Sequence, residues 1–183
     1  MQKEKNNATS INRRENQIRK KMKDLKIVRV HKNNFKDLVL MIKKLAKYLK
    51  QEAPEPKAFQ RLKKGLLARN PQCEAYIETF KGKPVGCVIF YIAYASFLGK
   101  PTLFLEDLFV LKEKRVQGFG KNLFLFCVKK AKEKKCGRID WRVLQRDQNT
   151  INFYKKFGAK QARDWSIYRL DEKTINAISK KKS

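Results

Sequence analysis

The chain has 183 residues, 42% of them hydrophobic, enough for one domain with a real core. Its formal net charge of +28, from 45 Lys and Arg against 17 Asp and Glu, would attract any polyanion, nucleic acid first of all. The four cysteines (Cys73, Cys87, Cys127, Cys136) are far apart, histidine occurs once, and no apolar run reaches about 18 residues, which argues against a metal site, a membrane span and secretion and predicts a cytoplasmic protein with reduced thiols.

Residues 1 to 24 are polar and rich in Lys, Arg and Asn, and read as a disordered or partly helical arm outside the fold, available for nonspecific nucleic-acid or ribosome association. The folded part is expected over 25–179, with a short basic tail at 180–183. The lysines are spread over almost every segment, so a biased proteome or salt tolerance explains the charge as well as a polyanion does. "KIVRV" alternates like a strand. "NNFKDLVLMIKKLAKYLK" carries Phe35, Leu38, Val39, Ile42, Leu45, Ala46 and Leu49 at the spacing of a one-sided helix, with Asn33 or Asn34 to cap it. After "EAPEP" comes a second short helix, "KAFQRLKKGLLAR".

"CEAYIETF", "VGCVIFYIAY" and "TLFLEDLFVL", separated by the turns "KGKP" and "FLGKP", predict three strands of an antiparallel meander. "FGKNLFLFCVKKAKEKK" predicts a helix with Leu123, Phe124, Phe126, Cys127, Val128 and Ala131 inward. "RIDWRVL" follows as a strand, "DQNTINFYKKF" as a helix begun by Asp147 or Asn149, and "WSIYRL" as a last strand. The class is α/β in the α+β sense, and only the strand, glycine loop, helix, strand portion resembles a βαβ unit.

The glycine loop "RVQGFGKN" lacks the third glycine of a dinucleotide fingerprint, and Gly120-Lys121 has neither the earlier glycine nor the following Ser or Thr of a Walker loop. What remains is R-x-x-G-x-G at a strand-to-helix turn. Backbone N–H groups near Gly118 and Gly120 there converge on an anion at a helix N-terminus, and Arg115 adds charge.

With this loop, "LEDLFV" and "INFYKKFGA" at their separations, the chain resembles the GNAT superfamily of N-acetyltransferases, and in particular the spermidine/spermine and thialysine N-acetyltransferase branch, over roughly residues 26 to 171. The resemblance implies a mixed, mostly antiparallel sheet flanked by helices and splayed between the "LFLEDLFVL" and "RIDWRVL" strands to admit acetyl-CoA. It implies an enzyme that acetylates a primary amine, with no metal. It also implies a homodimer, to which the apolar "WSIYRL" is the sequence's own possible contributor.

Acetyl transfer to an amine needs a proton acceptor for the amine, a stabilised oxyanion and a proton for the leaving thiolate. The resemblance makes Tyr154 the general acid and Glu106 the base acting through water, and places the acceptor among Asp107, Glu52 and Trp165. Phe109, Val110 and Leu111 would offer backbone groups to the pantetheine arm, and Arg115, Val116, Gln117, Gly118, Phe119, Gly120 and Lys121 would wrap the pyrophosphate. Asp147 stands where many members carry an asparagine, so that contact is either lost or moved to Asn149. Neighbouring strand residues face opposite sides, so Glu106 and Asp107 share one cleft only if a bulge re-aims one of them.

Ala95 and Ser96 replace an aspartate expected of polyamine-specific members, which leaves a diamine, a lysine-like amino acid and a protein lysine open as acceptors. The alternative reading is a basic nucleic-acid- or ribosome-associated protein that keeps the fold without the chemistry.

Overall fold

The computed structural model describes residues 24–180, so the expected basic arm, apart from Asp24, and residues 181–183 of the tail lie outside the described residues. Strand β1 (Leu25–Arg29) leads into helices α1 (Phe35–Leu49) and α2 (Pro56–Leu67). The strands β2 (Glu74–Phe80), β3 (Lys83–Ala95) and β4 (Lys100–Val110) come next. They are followed by helix α3 (Phe119–Glu133), strand β5 (Arg138–Trp141) and helices α4 (Gln148–Lys155) and α5 (Glu172–Lys180). The chain divides into two compact units, one ending at Arg142 and the other beginning at Val143.

In the first unit the five strands lie in the order of the sequence; β1 to β4 pair antiparallel, and β5 pairs parallel to β4. The "KGKP" turn works because Lys81 and Gly82 both take positive φ, the conformation a two-residue hairpin requires. Asn34 does stand at the start of α1. Its side chain turns back instead of capping the first turn, accepting from the His31 N–H at 2.7 Å and donating to the Arg29 carbonyl at 3.1 Å.

The alternation of β2 sorts the core into two faces. Ile77 and Ala75 join Phe35, Leu38 and Met41 of α1, together with Cys87, Ile89 and Phe109, in one apolar cluster. Tyr76, one residue away, meets Phe126 of α3 edge-on at 4.6 Å, and α3 also lays Phe124 against Trp141 and Phe119 against Phe80. Of these, Phe119 and Phe124 are buried, and a fully buried side chain of this kind stabilises a fold by roughly 1.5–3 kcal/mol. Gly86 has no room for a side chain between β4 and α3: a Cβ there would stand 2.8 Å from the Phe109 carbonyl oxygen and 3.0 Å from Leu123.

Several elements differ from expectation. "RIDWRVL" keeps strand geometry only to Trp141, because its partner register on β4 ends at Leu105. Val128 is exposed rather than inward, since Phe124, Cys127 and Ala131 already define the buried line of α3. "WSIYRL" is not a strand. Trp165 and Tyr168 are 81% and 94% exposed and Ile167 and Leu170 are exposed too, so neither alternating face is covered, and no ladder partner exists for it among the described residues. Beyond it, α5 is an unforeseen helix, begun by Asp171, which accepts from the Thr174 N–H at 2.8 Å.

Candidate active site

The β3–β4 ladder runs in register from Gly86↔Val110 to Ile89↔Asp107 and then resumes at Phe90↔Leu105. Glu106 is therefore the extra residue of a bulge. This is the condition under which adjacent carboxylates share a face, and their neighbours show that they do. Asp107 stands opposite Ile89, whose side chain lies in the α1 cluster, and Glu106 is near enough to Cys73, packed on the same cluster, to add to burial in raising the pKa of that thiol. The pairing of β5 also stops at Leu105, so from Glu106 onward the outer edge of β4 has no strand beside it among the described residues. The bulge and the open edge coincide.

Arg142, the residue after β5, reaches across this gap. Its Nη2 donates to both Glu106 carboxylate oxygens at 2.7 Å, and its guanidinium lies over the Phe104 ring, 5.4 Å from the centroid. Asp107 makes no such pair. Burial and the adjacent Glu106 raise its pKa to about 6 against the opposing effect of Arg142. That is an acid whose conjugate base is present at neutral pH and accepts a proton readily.

The open edge continues to the glycine loop. The Leu111 N–H donates to the Val85 carbonyl, so the ladder's alternation aims the Val110 amide group away from β3. The Val110 carbonyl accepts from Arg115 Nε at 3.2 Å, and the Arg115 guanidinium stacks on Tyr48 of α1 at 4.1 Å. Arg115 thus ties the loop to α1 and does not project into it. Val116 is held at φ 53° with its side chain in solvent, a conformation that costs a branched residue roughly 1–2 kcal/mol. Gly118 follows at φ 92°, the position glycine suits, and opens α3. The first turn of α3 has neither a side-chain cap nor an acidic residue, so the backbone at Gly120 and Lys121 and the positive end of the helix dipole suit an anion.

The second unit carries the remaining expected residues. Tyr154 is buried on α4 with its ring edge-on to Phe153 at 5.0 Å. Asp147 caps α4: Oδ1 accepts from the Thr150 N–H at 3.1 Å and Oδ2 from the Thr150 hydroxyl at 2.8 Å. A carboxylate so engaged is a structural cap. Asn149, one turn in, is exposed, as is Trp165 on the irregular stretch before α5. In the first unit Glu52 is exposed on the α1–α2 connection.

The sequence matches the acetyltransferase (GNAT) family over residues 41–159. The chain belongs to this family. It is an acetyl-CoA-dependent enzyme that transfers an acetyl group to an amine. The thialysine N-epsilon-acetyltransferase of Caenorhabditis elegans is 27% identical over 86% of the chain and 99% of its own length. The L-ornithine N5-acetyltransferase of Arabidopsis thaliana is 38% identical over 52% of the chain, a stretch that spans only 42% of the plant protein. Among solved structures, an integron cassette protein of V. cholerae superposes with a TM-score of 0.73 at 23% identity, over 86% of the chain and 98% of that protein. The sheet, its open edge and the loop at α3 are thus those of a GNAT fold.

Two residues escaped the sequence reading, Arg142 at this GNAT site and Glu78 under α3. Arg142 lies in "RIDWRVL", read only as a strand, with nothing in the local pattern to say that it would meet Glu106. Glu78, in the apolar "AYIETF", is fully buried beneath α3; one oxygen accepts from Asn122 Nδ2 at 2.7 Å, while Oε2 has no hydrogen-bond partner among the described residues. Burial raises its pKa to about 7, against the opposing hydrogen bond from Asn122.

Because this folded-state pKa lies above the unfolded one, the protonated form favours the fold, and stability falls as pH rises from about 4.5 to 7. We expect Glu78→Gln to remove a pH-dependent loss on the order of 3 kcal/mol between pH 4.5 and 8, read as the difference between variant and wild-type urea midpoints. Parallel pH profiles for the two proteins would refute it.

Proposed function

We propose that the chain binds acetyl-CoA with its pyrophosphate on the loop from Arg115 to Lys121 and its arm along the open edge of β4, and acetylates a small primary amine held at Glu106 and Asp107. The uncapped N-terminus of α3, free of any acidic residue in its first turn and entered through Gly118 in left-handed conformation, carries this reading. The bound group supplies the acetyl thioester. Asp107 would meet the ammonium form of the acceptor and take its proton, Glu106, held by Arg142, would add its negative charge beside it, and the Tyr154 hydroxyl would give its proton to the sulfur as the bond to the acetyl carbon breaks. Val110 offers its N–H to the arm, and Asp147 is occupied as the cap of α4.

Calorimetric titration with acetyl-CoA tests the cofactor half of this reading. Wild type should bind, and Gly118→Val, which places a branched side chain at φ 92°, should bind about tenfold more weakly. Absence of binding at millimolar acetyl-CoA would refute the reading outright.

A further inference from the structure

Arg142 stands where an acceptor amine must arrive, and this cluster's charges do not suit a polycation. Glu106 and Asp107 alone would present two negative charges to the acceptor; with Arg142 between β5 and the bulge the cluster carries one. Both hydrogen bonds of the arginine are made by Nη2, and among the described residues Nε and Nη1 carry none. Phe104 under the guanidinium and Glu106 at Nη2 bias its placement and leave Nε and Nη1 for another partner. The Arg142 and Glu106 side chains are 39% and 40% exposed, and an ion pair that open contributes only about 0–1 kcal/mol, so the pair does not lock the guanidinium away from a second anion. A guanidinium can hold two carboxylates at once through different edges.

We infer that Arg142 is the specificity-determining residue of the acceptor site, receiving the carboxylate of an amino acid whose side-chain amine is acetylated at Asp107. This rests on the acetyltransferase reading above. A cluster with one carboxylate to meet an ammonium and one guanidinium edge to meet a carboxylate matches a zwitterionic acceptor. A diamine leaves the guanidinium without a partner and sets a second ammonium against it. A lysine within a protein brings no carboxylate of its own.

The test uses the full chain with acetyl-CoA and two pairs of acceptors that differ only in the carboxylate: L-ornithine against putrescine, and L-lysine against cadaverine. Wild type should favour the amino acid of each pair by about tenfold or more in kcat/KM, the gain expected of one charge-assisted contact. Arg142→Gln should bring the ratio to about one, chiefly by raising KM for the amino acid, and Arg142→Lys should restore part of it. Because Arg142 opposes the rise in the Asp107 pKa, the Gln variant should also move the acid limb of the pH profile to higher pH for all four acceptors, whereas a merely structural role would not confine the KM rise to the two that carry a carboxylate. Diamines turned over as well as amino acids by wild type, or an unchanged ratio in a folded Arg142→Gln protein, would overturn the inference while leaving the acetyltransferase reading intact. If acetyl-CoA does not bind and no amine is acetylated, both fall together. Should the Gln variant fail to fold, the wild-type ratios decide alone.

Discussion

Asp107→Asn should lower kcat/KM for the preferred amine by about 10²-fold or more, the loss expected when a positioned proton acceptor is removed. The wild-type profile should rise with pH through about 6, as the Asp107 carboxyl ionises, and the variant should lack that limb. Glu106→Gln separates the two carboxylates. Glu106 raises the pKa of Asp107, and its removal also releases Arg142 to approach Asp107; both effects stabilise the ionised aspartate. The acid limb should therefore shift to lower pH, with a smaller loss of rate than in Asp107→Asn. Since the two groups are adjacent, the measured values belong to the pair, and it is the direction of the shift that discriminates. A Glu106→Gln enzyme that loses the limb altogether, beside an Asp107→Asn enzyme that keeps it, would return the role of base to Glu106.

Tyr154→Phe keeps the ring and its contact with Phe153 and removes only the hydroxyl. Acetyl-CoA affinity by calorimetry should be unchanged while kcat falls by about 10²-fold, the lower end of what a positioned acid contributes. An acetyl thioester with a better leaving group needs the proton less, so the deficit should shrink as the thiol pKa of the donor falls. Undiminished kcat, measured where the chemical step limits turnover, would remove Tyr154 from the mechanism.

The meander and the amphipathic helices were legible because alternation and helical spacing report burial directly, as in Ile77 against Tyr76 and in the Phe35, Leu38 pair of α1. The family was legible because the loop around Gly118 and the "INFYKKFGA" segment carry residue types that the chemistry constrains. The bulge was legible only as a condition, since two adjacent acidic residues in an apolar strand pose the question without answering it. Tertiary contacts were not legible at all. Nothing in the local pattern says that Arg142 lies on Glu106, that Arg115 turns to Tyr48, or that Asn122 meets Glu78 across 44 positions of sequence. "WSIYRL" failed for the complementary reason, because apolar and aromatic residues favour a strand only when a partner edge is there to receive them.

The bulge at Glu106 also bears on how this site can change through descent. Replacing either carboxylate by point mutation keeps the bulge, so both positions stay on one face even as Arg142 and the ionisation of the other acid adjust. Losing a single residue between Leu105 and Leu108 is different. The ladder would close into regular alternation, because Ile89 and Phe90 already face Asp107 and Leu105 in turn; the flanking residues, Phe109 among them, would keep their faces, and one carboxylate would stand where two had. A lineage that keeps two adjacent positions on one face should therefore keep the strand's length, and can acquire new acceptors by exchanging the residues at 106, 107 and 142 within that frame.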